Sequence, residues 1–181
     1  MKKKFNKPIW KPNSELPEKV IKYFEKRGIS KATLRRNDIQ YRRDVYFPQL
    51  EKKAGAICFP YKRNGEVINV KYHSGDKHFK QEKNAEKIFY GLDGVQENET
   101  TLIITEGEVD KISFDEIGYT FAVSVPDGAP ALGSENFNSK FEYLENCKNL
   151  LERVESIILA VDGDPAGQLL QNELARRLGY E

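Results

Sequence analysis

The chain has 181 residues, of which 39% are hydrophobic and 31% charged, with Phe 10 and Tyr 9. That length suits one domain, or a domain with a small appendage; the aromatic content argues against disorder, and no apolar run nears the roughly 20 residues that span a bilayer. A net charge of +1 hides two unlike halves, since residues 1–90 carry 23 Lys/Arg and 10 Asp/Glu while residues 91–181 carry 6 and 18.

Such asymmetry points to a basic surface for a polyanion beside an acidic surface with another job; the alternative is a pair of solvated charged faces. The N-terminus is basic but lacks the apolar stretch of a signal peptide. Two cysteines, Cys58 and Cys147, exclude a disulfide framework and a Cys-rich zinc ribbon. A cytoplasmic protein with no membrane partner is expected.

In chain order, residues 1–13 read as an extended Lys/Pro-rich arm with the single Trp10. Ser14 or its neighbours open a helix with Pro17 in its first turn. Val20, Ile21 and Phe24 form the apolar stripe, and Gly28 closes it. Ser30 is an N-cap for a second short helix through Arg36. The period then shifts to β, and Asn64-Gly65 marks a hairpin between Ile57–Tyr61 and Val67–Tyr72, because both turn residues tolerate positive φ. The following stretch carries Lys71, Lys77 and Lys80, which read as phosphate binders or as solvated lysines. His73 and His78 are five apart, a spacing that matches no common metal motif.

The acidic half reads as strand, helix, strand, helix, strand, helix. Leu102–Thr105, Tyr119–Val125 and Ile157–Val161 are buried parallel strands. Helices are expected over Glu108–Ile117 and Asn138–Leu151, and from an Asp164 N-cap with Pro165 at the first position to Leu178, with Gly179 as the stop. This is an α/β unit with a parallel sheet flanked by helices, over residues 96–181. It is preceded by a smaller helix-plus-antiparallel-β subdomain over residues 1–95.

In such sheets the ligand site lies beyond the carboxyl ends of the strands. There the sequence places Glu106, Gly107 and Asp110 after one strand, and Asp162 and Asp164 after another. If these strands are neighbours, Glu106 faces the two aspartates. Three converging carboxylates repel one another unless a cation sits between them, and hard oxygen ligands select Mg²⁺ or Mn²⁺. The competing reading is helix capping, which favours Asp and Glu in a first turn. No phosphate-binding glycine loop and no Ser/His/Asp arrangement is present, so P-loop, dinucleotide and triad chemistries are unsupported.

Thr105-Glu106-Gly107-Glu108-Val109-Asp110, followed about 50 residues on by Asp162-Gly163-Asp164-Pro165-Ala166-Gly167, resembles the Toprim domain. That domain is shared by bacterial primases, phage primase-helicases, Twinkle, topoisomerases and some nucleases. Where Gly163 stands, the family often has Asn. The upstream Ile57-Cys58-Phe59-Pro60-Tyr61, Val70-Lys71-Tyr72, Lys77-His78-Phe79 and Phe89-Tyr90-Gly91-Leu92 are similar to the segment preceding Toprim in phage-type primase-helicases and Twinkle. Topoisomerases lack this unit.

The resemblance implies a DNA primase core that joins ribonucleoside triphosphates on a single-stranded DNA template. Asp162, Asp164 and Glu106 would hold Mg²⁺ or Mn²⁺, with Glu106 as ligand or general base. Asp110 and Gly107 would lie in a second layer, and Lys71 and Lys77 would face nucleotide or template. Trp10 or exposed tyrosines are candidates for stacking on bases. The zinc-binding module usual in active primases cannot be built from two cysteines. The helicase domain that follows in the family, or a separate replicative helicase, is the expected protein partner, which makes the chain a fragment of a primase-helicase or a minimal module. A bacterial or phage-infected cell is the expected setting. The alternatives are a non-catalytic DNA-binding Toprim module and a Toprim nuclease.

Overall fold

The computed structural model describes residues 4–11, 15–75, 78–133 and 138–179. Ser14 and Lys77 lie outside them. Helix α1 spans Glu18–Glu25, with Pro17 as its N-cap rather than inside the first turn. Val20 and Phe24 are buried, and Gly28 follows in the left-handed region at φ +73°. Helix α2, Lys31–Arg36, is capped by Ser30, whose hydroxyl accepts from the Thr33 N–H.

An antiparallel sheet follows in the order β1-β2-β3-β4, made of Gln40–Phe47, Lys52–Arg63, Glu66–Ser74 and Phe79–Gln81. The β2–β3 hairpin turns at Asn64 (φ 54°) and Gly65 (φ 78°), and Arg63 pairs with Glu66. Positive φ at both central residues matches the right-handed twist of the strands. The turn is held down by Asp93, whose two carboxylate oxygens accept from the Asn64 and Gly65 N–H groups at 2.8 and 2.7 Å.

The second sheet is parallel and three-stranded, with β5 (Thr101–Thr105) central between β6 (Ala122–Ser124) and β7 (Ser156–Ala160). Helix α3, Glu108–Glu116, connects β5 to β6. The chain then passes through α4 (Glu142–Asn146) and α5 (Lys148–Leu151) to the other side of β5. Helix α6, Pro165–Leu178, ends the described fold, with Gly179 as its left-handed C-cap at φ +83°.

Further sequence-based expectations change, among them the strand over Tyr119–Val125, which forms only at Ala122–Ser124 and leaves Tyr119 exposed. The helix expected over Asn138–Leu151 is three short pieces: a 3-10 turn over Asn138–Phe141, then α4 and α5, broken at Cys147. There the buried thiol accepts from the Phe89 N–H at 3.4 Å, and Arg63 takes the Asn146 carbonyl at 2.9 Å. Tertiary partners thus replace the next turn of helix. The strand expected to be fully buried over Ile157–Val161 is an edge strand, with Ile158 half exposed.

One core runs through both units. Phe24, Leu34, Phe59 and Tyr61 belong to the same buried cluster as Leu102, Ile104, Ile112 and Leu170. The outer face of the antiparallel sheet has its own small cluster around Val45, Phe47, Cys58 and Tyr72, with Trp10 packed against it. Trp10 donates its indole N–H to Asp38 at 2.9 Å and lies under Arg42, so it is engaged by the protein itself. Burial pushes the Cys58 thiol up to about 12 and Cys147 up to about 11, away from reactive thiolates.

The two glycines that flank Asp164 and Pro165 after β7 differ. A Cβ on Gly167 would stand 2.1 Å from the Asp162 carbonyl oxygen, whereas nothing lies within 4 Å of one on Gly163. Gly167→Ala should therefore cost about 1–3 kcal/mol of unfolding free energy by overpacking, and Gly163→Asn should stay within about 0.5 kcal/mol. Urea denaturation of the two variants checks both values, and equal midpoints would contradict the close approach.

Candidate functional site

The parallel sheet sets the position of the site. β5 pairs with β6 on one side and β7 on the other, and Thr105 stands opposite Ser124 and Ala160. The connection from β5 runs to β6 on one side, and the connection from β6 crosses back past β5 to β7 on the other, so the carboxyl ends of β5 and β7 border a topological switch point, where a crevice opens between the flanking loops. An open cleft of about 660 Å³ lies there. Glu106, Asp110, Asp127 and Asp162 form its acidic wall, and Lys71, His73 and Phe79 of the antiparallel sheet face them.

Local hydrogen bonds hold the acidic wall. The Thr105 hydroxyl donates to the carbonyls of Gly107 and Val123 at 3.1 and 3.2 Å, pinning the β5–α3 turn to β6. Gly107 is the N-cap of α3, and the Asp110 carboxylate at the third helical position turns back towards it, the place of the reciprocal half of a capping box. A Cβ on Gly107 would sit 2.9 Å from an Asp110 carboxylate oxygen. Asp110 keeps solvent contact. Even so, the surrounding protein and then the Asp162 charge raise its pKa.

Glu106 is half-buried. Its Oε1 accepts from the Ala129 N–H at 3.4 Å, and its Oε2 is buried with no hydrogen-bond partner. Desolvation raises its pKa, and the Asp162 and Asp164 charges add to the effect. Asp164 itself caps α6, accepting from the Gly167 N–H at 2.8 Å, and it does not line the cleft. The capping reading and the cleft reading thus divide between the two aspartates.

Among the described residues, no group of three or more His, Cys, Asp or Glu stands close enough together to hold a metal ion. A partial site fits better. Glu106 has an unpartnered buried oxygen, its pKa is raised by burial and further by neighbouring carboxylates, and the donors are all hard oxygens. Mg²⁺ is commonly bound by one or two carboxylates, with water and substrate phosphates completing the shell.

The basic wall is less free than its charge suggests. Lys71 is buried, and its ammonium donates to Glu108 Oε1 at 2.8 Å. The same oxygen accepts from the Tyr61 hydroxyl. This knot joins β2 and β3 to the first turn of α3, and it places Lys71 beside the acidic loop. Lys80 borders the cleft, but its ammonium lies 5.2 Å from the ring of Tyr72, which belongs to the cluster on the sheet's other face. Lys71 and Lys80 are therefore not a matched pair. Lys77 lies outside the described residues.

Three participants were not singled out as site residues from the sequence. Asp127 receives Lys87 at 2.6 Å and the Gln81 amide at 2.7 Å, closing the cleft floor across the two sheets. Its signal was a Pro-Asp-Gly loop after a short strand. Glu108 was legible only as a helix-start acid, and Tyr61 only as a strand aromatic.

Residues 100–181 match the family described as Toprim domain. The chain carries a primase-like Toprim core. It is 39% identical over 175 residues to the Twinkle homolog protein, chloroplastic/mitochondrial, of Arabidopsis thaliana, covering 92% of this chain and 23% of that protein. It is 41% identical over 172 residues to the Primase homolog protein of the same plant, covering 92% and 49%. The chain thus spans about half, or less, of the length of the curated relatives it matches. Its fold is that of the primase fragment of the bacteriophage T7 primase-helicase, with a TM-score of 0.64 at 23% identity over 84% of this chain and 59% of the other. Among the described residues no helix is long and apolar enough to cross a membrane.

Two outcomes test this geometry. Removing Glu108 alone strands a buried ammonium, so Glu108→Ala should cost about 3–5 kcal/mol, whereas the apolar pair Lys71→Met with Glu108→Leu should cost far less. Equal losses in denaturant titrations would show that the ion pair is not the linkage. Asp162→Asn removes a charge that raises the Glu106 and Asp110 pKa values. Raised folded-state pKa values mean that ionisation at neutral pH costs stability, and that this cost fades as pH falls through them. The variant should therefore melt at a higher temperature than wild type at pH 7, with the gap narrowing towards pH 4; a lower melting temperature at pH 7 would contradict the repulsion.

Proposed function

We propose that this Toprim core is the catalytic centre of a DNA primase: it makes RNA primers on single-stranded DNA from ribonucleoside triphosphates, as part of a primase-helicase. The observation that carries this reading is the facing of Glu106 and Asp162, at the switch point, by Lys71 from the antiparallel sheet across one cleft. Its volume suits a nucleotide. The division of labour follows charge, with the unit at 1–95 gripping phosphates and the unit at 96–181 placing the reacting atoms.

In the reaction the 3′-oxygen of one nucleotide bonds to the α-phosphorus of the next. The bond from that phosphorus to the bridging oxygen breaks, and pyrophosphate leaves. Glu106 and Asp162, with Asp164 behind them, would hold Mg²⁺ or Mn²⁺, which when bound neutralises triphosphate charge and lowers the pKa of the attacking hydroxyl. Glu106 Oε2 is the atom available for a metal bond or for the hydroxyl proton. Asp110 and Gly107 hold the turn that aims Glu106. Lys71, anchored by Glu108, offers a preorganised positive charge to phosphate oxygens. Lys77 and Lys80 contribute to the general grip on the strand.

A helicase domain, or a replicative helicase, is the protein partner that the Twinkle relationship supports. We keep the cytoplasm of a bacterial or phage-infected cell as the compartment. The name of the Twinkle relative supports an organelle as a second one. The lack of a three-ligand cluster among the described residues favours a second reading, a DNA-binding Toprim module that makes no bonds.

Extension of a short RNA annealed to a DNA template, with Mn²⁺ and ribonucleoside triphosphates, separates the readings. Wild type should incorporate nucleotides and Glu106→Gln should lose at least about 100-fold, while both bind the strand equally well. No incorporation by wild type that still binds DNA would establish the non-catalytic module. Cleavage of supercoiled DNA with metal alone would establish a nuclease. Strand binding should also weaken with salt, with a log–log slope of about −0.7 per phosphate contacted; a flat response would remove the polyanion surface.

A further inference from the structure

Phe79 is an exposed aromatic in an unusual place. Of the large apolar side chains exposed among the described residues, it alone borders the cleft, with 47% of its surface open. It sits on the edge strand β4, directly across the ladder from His73. The two rings stack at 4.5 Å between centroids, with 17° between planes. The Gln49 amide donates to the Phe79 carbonyl at 3.0 Å and steadies the strand from its other side. The Lys71 ammonium lies 5.3 Å from the Phe79 centroid.

An apolar ring left in water gains nothing from burial, and one fixed by a ladder, a stacked neighbour and a backbone hydrogen bond is already ordered before any ligand arrives. A rigid aromatic with a cation beside it has the chemistry that recognises a nucleotide, since the ring takes the base and the cation takes the phosphate. Base stacking needs no hydrogen-bond code, which suits a cleft that must accept successive bases.

We propose that Phe79, backed by His73, is the stacking platform for a nucleobase held in this cleft. The inference rests on the nucleic-acid reading above and adds a base subsite to it. The base belongs either to the single strand or to a ribonucleoside triphosphate, and the test distinguishes them.

Strand binding is measured in EDTA, and ATP binding with Mg²⁺ but without any strand, so catalysis plays no part. The probes are a twelve-residue oligothymidylate, an abasic strand of the same length, and ATP. Phe79→Ala should weaken oligothymidylate binding roughly tenfold and leave the abasic strand unchanged, while Phe79→Trp should retain wild-type affinity. A loss confined to oligothymidylate assigns the base to the strand, and a loss confined to ATP assigns it to the nucleotide. Unchanged binding of both by Phe79→Ala would overturn the platform while leaving the primase reading in place. An equal loss on the abasic strand would overturn it too, because the effect would then not be stacking. Wild type that binds neither probe would remove the platform together with the reading on which it rests.

Discussion

Glu108 accepts from two elements of the antiparallel sheet at once, and the rest of the molecule is arranged around that point. Its carboxylate is buried, as are Tyr61 and Lys71. A charge in that position is costly unless it is paired and hydrogen-bonded, so the first turn of α3 can settle only where β2 and β3 supply both donors. Burial and the Glu108 charge together drive the Tyr61 pKa well above its ordinary value, which keeps the hydroxyl a donor. Further along α3, Glu116 accepts from the Ser30 N–H and hydroxyl at 2.9 Å, and Asp115 accepts from Asn37 at 2.7 Å and Lys111 at 2.5 Å. One helix of the parallel unit is thus bound along its length by the basic unit, and the cleft between the sheets has fixed walls.

Those walls divide electrostatically. The acidic loops carry Glu106 and Asp110, whose pKa values are raised by burial and then by the Asp162 charge, while the lysines opposite are largely committed to protein partners. Lys71 belongs to Glu108 and Lys87 to Asp127. The cleft therefore does not neutralise its own carboxylates at Glu106 and Asp162. In the primase reading, the compensating charge comes from a divalent ion and the nucleotide that brings it, which couples metal affinity to substrate.

Much of this was legible in the sequence where the cause is local. Ser30 and Asp164 as N-caps, Pro165 at the first helical position, Gly179 as the stop and Asn64-Gly65 as the turn all act through their own backbone. The pairing of β5 with β7, on which the meeting of Glu106 with Asp162 depended, was only conditional in the sequence and is met in the fold. What escaped depends on partners distant in the chain. The break at Cys147 needs Phe89 and Arg63. The burial of Lys71 needs Glu108. The engagement of Asp164 by Gly167, and of Lys80 by Tyr72, turned two residues of promising type towards structural contacts. Period and spacing cannot assign a side chain when both strand faces carry plausible partners.

In the primase reading, the switch-point carboxylates, and not the acidic surface at large, attract the divalent ion. Paramagnetic broadening of backbone amides by substoichiometric Mn²⁺, with a ribonucleoside triphosphate present, locates that ion directly. Signals from residues 105–110, 127–129 and 161–164 should be selectively lost, with the amides of β1 at Gln40–Phe47 unaffected. Broadening centred elsewhere, or spread evenly over the acidic half, would contradict it.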